Sequence, residues 1–164
     1  SMICACDLIR KNHEDLFGKA RISIGLWVGS STTPNKMKDA VAKYDALKQG
    51  KSDVNPFVIL KCPWCGAQMG VVSRKKGTKE VPGYEKIMGP KRQKKIVFRC
   101  RNTANDCAFS KKDYVLPLYV IDESIYDVKP TLLLGTVDKF AMLPFRPEAQ
   151  GLFCLLYTSP SPRD

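Results

Sequence analysis

The sequence predicts an α/β fold that carries an inserted four-cysteine zinc ribbon. Segments with helical periodicity alternate with short apolar segments rich in branched residues, which is the order of elements in a layered α/β sheet. Two pairs of cysteines stand between these elements, Cys62 with Cys65 and Cys100 with Cys107. Few strands are predicted, so we expect the sheet to be partial.

The first half of the α/β part is predicted from apolar periodicity and turn residues. A helix is expected over residues 3–17, ending at Gly18, and an alternating segment over 21–28 predicts a strand. A second helix is expected over 35–47, with Thr33 as its cap.

The second half contains shorter apolar segments. Strands are predicted at 57–60 and 96–98, each leading into a cysteine pair, and the Gly- and Pro-punctuated segment 75–95 between them is predicted to be a loop. The strongly apolar segments 115–121 and 131–134 are predicted to be central strands of a covered sheet.

This pattern predicts a division of the chain into three parts. Residues 3–60 and 115–153 are expected to form the α/β domain, and residues 61–114 the zinc ribbon with a basic loop. The tail 154–164 ends in alternating Ser-Pro and fits no predicted element. It resembles the translated read-through of a sequencing adapter, so we expect it to be non-native.

The segment from Cys62 to Gly66 is typical of a zinc knuckle. Two cysteines separated by two residues direct both thiolates to one point, and Gly66 permits the positive φ angle of the turn. Cys100 and Cys107 supply the second pair across a longer spacer than usual. Because four thiolates fill a tetrahedral site, the predicted zinc is structural and leaves no position for water or substrate.

Two other interpretations of the cysteine pairs compete with a zinc site. Thioredoxin-like redox sites place Trp before the first cysteine and Pro between the pair, whereas here Pro63 and Trp64 both lie between the cysteines, which disfavours a redox pair. Buried structural cysteines without a metal remain an alternative. Cys4 and Cys6 are predicted to pack in the core, because their spacing points them to different faces of a helix.

Positive charge is concentrated in one part of the chain. The formal net charge is +11, and the segment 74–112 holds thirteen Lys and Arg against three acids. Such a segment indicates contact with nucleic acid, although a solvated loop is the alternative, because the segment lacks the interleaved aromatic residues of a stacking platform. The residues expected to make this contact are Arg74, Lys75, Lys76, Lys91, Arg92, Lys94 and Lys95.

Several function classes are disfavoured by what the sequence contains. No apolar run approaches the ~20 residues of a membrane helix, so no membrane contact is expected. Seven cysteines without a secretory signal indicate a reducing, cytoplasmic location. His13 is the only histidine and lies on a charged helix, so no nucleophile and base pair supports an independent hydrolase.

Features of ATP-binding proteins are present only in part. The apolar segment 119–121 ends in Asp122 and Glu123, like the magnesium-binding strand of P-loop NTPases. The phosphate-binding loop Gly-x-x-x-x-Gly-Lys-Ser/Thr is not found anywhere in the sequence. Taken alone, Asp122 and Glu123 are therefore weak evidence for magnesium and ATP binding.

The segment after the strand at 131–134 is a candidate phosphate contact. Gly135 turns the chain, Thr136 is placed to cap a helix over 138–143, and the helix N–H groups with Lys139 suit a nucleic-acid phosphate. An ordinary capped helix with a solvated lysine is the alternative.

Five segments together carry a family resemblance: 3–10, 21–29, 33–35, 60–66 and 133–141. Over residues 3–153 they resemble the bacterial superfamily-two DNA helicases of the DISARM anti-phage system, the DrmA type. This combination is more specific than any one of the motifs. The resemblance implies that the chain is an internal fragment of the first RecA-like domain of such a helicase, which hydrolyses ATP and moves along DNA.

The resemblance also implies roles for particular residues. Thr136 and Lys139 match the family's contact with the DNA backbone. The phosphate-binding loop is expected before residue 1 and the magnesium strand after Phe153, so Asp122 and Glu123 are not its acidic pair. ATP and Mg then belong to the full-length parent, and the fragment is expected to be inactive. DNA and other defence-system subunits are the expected partners, and a stand-alone zinc-ribbon module that binds nucleic acid or protein is the alternative.

Overall fold

The computed structural model describes residues 1–73, 79–89, 92–102, 104 and 106–152. The helices are α1 (Met2–Asn12), α2 (Glu14–Phe17), α3 (Met37–Lys48), α4 (Asp122–Val128), α5 (Val137–Ala141) and α6 (Pro147–Gln150). The strands are β1 (Ile24–Trp27), β2 (Val72–Ser73), β3 (Lys79–Glu80), β4 (Tyr84–Met88), β5 (Lys94–Phe98), β6 (Leu118–Tyr119) and β7 (Leu132–Gly135). In this part of the chain, no helix has the length and apolar character needed to cross a bilayer.

A three-stranded parallel sheet with the order β6-β1-β7 forms the α/β part. The prediction that 115–121 and 131–134 form central strands is wrong, because β1 occupies the centre and β6 and β7 flank it. Leu132 and Leu134 on β7 are 39% and 49% exposed. These apolar residues belong to an edge strand, and nothing in the described residues covers them fully.

Gly25 lets the crossover connection pack closely on the centre of this sheet. A Cβ at this position would lie 2.7 Å from Cγ of Pro130 and 3.0 Å from Cδ1 of Leu133. Pro130 belongs to the connection between α4 and β7. Because Gly25 has no side chain, that connection packs directly against the backbone of β1.

The helices differ from the predictions in one break, one cap and the unpredicted α4 and α6. The predicted cap Thr33 is wrong, because α3 begins after Lys36 and no side chain caps it. The helix predicted over 35–47 is α3, and the one predicted over 138–143 corresponds to α5. The helix predicted over 3–17 is divided into α1 and α2 at His13, which leaves the helical conformation with φ −134° and ψ 51°.

Two antiparallel hairpins lie between α3 and β6 in the chain. One pairs β2 with β3, and the other pairs β4 with β5, so that Tyr84 lies opposite Phe98. The predicted loop over 75–95 is therefore wrong where β4 lies. Pro82 and Gly83 form a turn before β4, and after β4 the Gly89 N–H donates to the Gln93 carbonyl at 2.7 Å.

The predicted strand at 57–60 is absent from the structure, whereas the strand at 96–98 is confirmed as part of β5. Val58 has a φ of +52°, in the left-handed region that interrupts an extended chain. Cross-strand contact is limited to an isolated bridge between Lys61 and Gln68.

Two apolar clusters lie on either side of β1. The larger one joins Phe57, Tyr84 and Phe98, whose rings meet edge to face at 5.0 to 5.7 Å, and extends to α1, α3 and the segment before β6. Leu26 packs against this cluster, and its neighbour Trp27 is buried in the smaller cluster with α4. The two pairs of cysteines belong to the larger cluster's region, so they share a core with the helices.

Asp7 on α1 ties distant parts of the chain together. Its fully buried carboxylate accepts hydrogen bonds from Arg10 Nε at 3.1 Å, the Ile22 N–H at 3.1 Å and the Tyr114 hydroxyl at 2.7 Å. Arg21 adds two more, from Nε at 3.0 Å and Nη2 at 2.5 Å. Burial opposes the charge, but the hydrogen bonds from Arg21, Tyr114 and Arg10 outweigh it and hold the pKa of Asp7 below its usual value.

Candidate metal centre

The four predicted ligand cysteines converge on one point. The Sγ atoms of Cys62, Cys65, Cys100 and Cys107 all lie within 4.8 Å of one another, and those of Cys65 and Cys100 are 3.5 Å apart. Sulfurs held tetrahedrally at about 2.3 Å from a zinc ion stand about 3.8 Å apart, whereas a disulfide places them at about 2.05 Å. The predicted convergence is confirmed, and the spacing fits a metal site rather than a disulfide.

A tight turn positions the first pair. The Gly66 N–H donates to the Cys62 carbonyl at 2.9 Å, and the Cys62 N–H donates to the Ala67 carbonyl at 2.8 Å. Gly66 has a φ of +75°, as the knuckle geometry predicts. A Cβ there would meet nothing within 4 Å, so the backbone angle rather than space is the reason for glycine.

The second pair is positioned by the end of β5 and a 3-10 turn. The Cys100 N–H donates to the Phe109 carbonyl at 3.0 Å, which closes the longer spacer into a loop. The turn at Ala108–Ser110 follows Cys107 directly, and the Ser110 N–H and hydroxyl both donate to the Cys107 carbonyl, at 2.9 Å and 2.7 Å.

Asn102 is a site residue that the sequence analysis missed. Its backbone N–H lies 3.3 Å from Cys100 Sγ, and its side-chain Nδ2 lies 3.8 Å from Cys65 Sγ. N–H groups directed at sulfur stabilise thiolate and orient ligands around a metal. The only sequence signal is the position of Asn102 shortly after Cys100.

Electrostatics distinguish Cys65 from the buried thiols. Burial raises the pKa of Cys107 to about 11, and it also raises the pKa of Cys100. Burial opposes ionisation of Cys65 as well, but hydrogen bonds from the Ala67 N–H and from the Cys100, Cys107 and Asn102 side chains lower its pKa to about 7. A divalent cation supplies the charge that would turn all four thiols into thiolates.

Cys4 and Cys6 lie outside this group of four sulfurs. Cys4 is fully buried in the larger apolar cluster, which confirms its predicted packing, and burial raises the pKa of its thiol. Cys6 is half-buried. A fully buried, protonated thiol acts as a small apolar side chain.

The predicted basic contacts fall into two groups. Arg92 and Lys94 are exposed, and Lys95 lies 3.9 Å from Asp127. The other four lie outside the described residues: Arg74, Lys75, Lys76 and Lys91. Their contact with nucleic acid stays a prediction.

Other positive charges of the segment 74–112 are engaged within the fold. Arg99 is 11% exposed, and its Nε lies 2.6 Å from the carboxylate of Glu85. Lys86 lies 2.6 Å from Asp45 of α3. The charge available to a partner is therefore smaller than the count of basic residues.

Thr136 and Lys139 lie at the carboxyl edge of the parallel sheet. The Thr136 N–H donates to the Trp27 carbonyl at 3.2 Å, but its side chain makes no capping hydrogen bond to α5, so the predicted hydroxyl cap is wrong. Lys139 is 13% exposed, and its Nζ lies 2.5 Å from Asp122 and 3.4 Å from the side-chain oxygen of Asn35. A phosphate contact by these two residues stays a prediction.

The acidic pair that resembles a magnesium strand begins a helix instead. Asp122 and Glu123 are the first residues of α4, and Asp122 pairs with Lys139. Glu123 accepts a hydrogen bond from the Met37 N–H at 2.7 Å, at the start of α3. Both carboxylates therefore serve the packing of neighbouring elements.

Comparison with known proteins bears on the whole chain. No family model matches it. The chain is 32% identical over 159 residues to the DISARM protein DrmA of Bacillus paralicheniformis, an alignment that covers 93% of this chain and 13% of that protein. The predicted resemblance is thus confirmed, and the chain spans about 13% of the length of the relative that it matches.

Proposed function

We propose that this chain is an internal part of the first RecA-like domain of an ATP-dependent DNA helicase or translocase of the DISARM type. The observation that carries the proposal is the 32% identity to DrmA over 93% of the chain. The parallel sheet supports it, since parallel strands need crossover connections and belong to layered α/β domains.

The four-sulfur group is a structural zinc site in this proposal, and residues 61–114 are the ribbon that it holds. Four cysteines within 4.8 Å supply every ligand that tetrahedral zinc needs. A site of this kind contributes about 10–16 kcal/mol of apparent binding free energy to folding at neutral pH. The ion therefore orders the ribbon and takes no part in chemistry.

The ribbon and its basic loop contact DNA in the full-length protein, where ATP hydrolysis drives movement along the strand. The net charge of +11 and the exposed side chains of Arg92 and Lys94 support this role. Other subunits of the defence system are the expected protein partners.

The chain itself hydrolyses no ATP in this proposal. Its sequence has no phosphate-binding loop, and Asp122 and Glu123 are engaged with Lys139 and the start of α3. The ATP and magnesium site belongs to other parts of the parent.

Metal analysis of the purified chain tests the zinc site. One zinc per chain is expected, and Cys62→Ser or Cys100→Ser should lose both the metal and the folded ribbon. Cys6→Ser is the matched control, because Cys6 is half-buried and lies outside the group of four sulfurs. A full complement of zinc in either ligand variant would refute the assignment.

Binding to DNA tests the functional role. The affinity should fall steeply as salt rises, because Lys and Arg contacts release counterions from the phosphates. An affinity that does not change with salt, or no binding at all, would contradict DNA contact. The upstream sequence of the encoding gene distinguishes a motor protein from a stand-alone module. A Gly-Lys-Thr loop there supports the motor protein, and a natural start at Met2 supports the module.

A further inference from the structure

Trp64 is an exposed aromatic residue within the metal centre, and its role is not explained by packing. It lies between Cys62 and Cys65 and is 43% exposed. Single exposed apolar residues are common on protein surfaces, so exposure alone indicates no function. Trp64 differs from such residues in how firmly its ring is held.

Trp64 packs against a row of aromatic rings. Its ring meets the fully buried Phe109 edge to face at 6.0 Å, and Phe109 stacks on Tyr114 at 5.2 Å with an angle of 15° between the planes. Lys11 covers the Tyr114 ring, with Nζ 3.8 Å from the centroid. The Gly66 N–H closes the turn around Trp64 by donating to the Cys62 carbonyl at 2.9 Å, so little backbone freedom remains to be lost on binding.

Three exposed lysines are near Trp64, or near its contact Phe109, in the sequence. Lys61 precedes the knuckle and is exposed, as are Lys111 and Lys112, which closely follow Phe109. Arg99 Nη1 donates to the Lys111 carbonyl at 2.6 Å and also to the carbonyl of Lys112, which holds this pair of lysines on a fixed backbone. An aromatic face together with cations is the combination that binds unpaired bases and their phosphates.

We propose that Trp64 stacks on an unpaired base of single-stranded DNA. This inference rests on the proposed DNA contact and adds the form of nucleic acid that the ribbon recognises. The net charge of +11 favours a polyanion over an apolar protein surface as the occupant. Bases within a duplex already stack on their neighbours, so an intact duplex offers Trp64 no free base face.

The test compares two labelled probes of equal length, an oligothymidylate and the same phosphodiester chain with abasic sites. Trp64→Ala should weaken binding to oligothymidylate by roughly 5- to 150-fold, the range measured for loss of one stacked base. It should leave binding to the abasic probe and to a blunt duplex unchanged. Trp64→Phe is the matched control and should keep most of the affinity, because it retains an aromatic face.

A spectroscopic readout separates stacking from a folding defect. Oligothymidylate should quench the tryptophan emission of the parent chain and not that of Trp64→Phe, in which only Trp27, 1% exposed, remains. The affinities of the variants are compared with that of the parent chain only where zinc content equals the parent level. If Trp64→Ala loses the metal, the quenching experiment with Trp64→Phe decides whether Trp64 stacks on a base.

The outcomes distinguish this inference from the proposed function. Salt-sensitive DNA binding that Trp64→Ala does not change, or weakens equally on both probes, would overturn the stacking role and leave the DNA contact standing. Binding only to an acidic peptide and to no nucleic acid would overturn both.

Discussion

Gly66 supplies the backbone angle that brings the first pair of cysteines, Cys62 and Cys65, together. Its φ of +75° lies where a side chain crowds the following carbonyl, and no neighbouring atom would obstruct an added Cβ. The cost of a substitution is therefore confined to the backbone. Because the knuckle forms only with this φ angle, a side chain at position 66 would strain the backbone of the metal site itself.

We expect Gly66→Ala to weaken zinc affinity by about 1–2 kcal/mol, the cost of left-handed backbone in a residue with a Cβ. A competition titration with a chromophoric chelator measures this. Gly50→Ala is the matched control, because Gly50 follows α3, has a φ of +69°, and has no atom, including the four sulfurs, within 4 Å of an added Cβ. Equal loss of zinc affinity in both variants would contradict a local effect.

At the scale of elements, Asp7 joins α1 to the chain entering β1 and to the end of the cysteine-bearing segment. Arg21 and Tyr114, its partners there, are far from it in sequence. A buried carboxylate with this many donors is costly to neutralise, since Arg10 is 4% exposed and would keep only the half-exposed Glu14, at 3.3 Å, as a counter-charge.

We expect Asp7→Asn to lower the free energy of unfolding by about 3 kcal/mol at neutral pH. The pKa of Asp7 is lowered in the folded state, so its stabilisation is present above the unfolded-state pKa and is lost as pH falls through the folded-state pKa. The difference between parent and variant should therefore shrink in strongly acidic solution. Urea unfolding at several pH values measures it.

The control for this prediction is Asp45→Asn. Asp45 pairs with Lys86, but the two side chains are 36% and 31% exposed, so the loss should stay below about 1 kcal/mol. A similar cost for both variants, or a difference for Asp7→Asn that does not change with pH, would contradict the role given to Asp7.

The elements that the sequence predicted correctly are those fixed by local chemistry. The knuckle follows from the spacing of Cys62, Cys65 and Gly66, and α3 from helical periodicity after Pro34. The wrong predictions concern segments whose structure depends on residues distant in the sequence. β4 forms because β5 lies beside it, whereas the segment at 57–60 buries Phe57, leaves Val58 and Leu60 exposed and does not become a strand.

At the scale of the whole molecule, β1 connects the metal centre to the far side of the sheet. Leu26 faces the larger apolar cluster, which includes the four cysteines, and Trp27 faces the smaller cluster. Trp27 meets the rings of Tyr126 and Phe140 edge to face at 5.9 Å and 5.7 Å. Unfolding of the apolar cluster on one face of β1 should therefore also unfold the cluster on the other face.

We expect metal removal to unfold both faces together. Folded domains are stable by only about 5–15 kcal/mol, and a structural zinc site contributes about 10–16 kcal/mol, so the chelated chain has too little stability left to stay folded. The Trp64→Phe variant isolates Trp27, whose emission should shift to the red on chelation in the same transition that releases zinc. Returning zinc should restore the emission, because the ion binds only the folded site. Trp27 emission that stays blue after the zinc has left would show that the sheet folds without the ribbon and that the two parts are independent units.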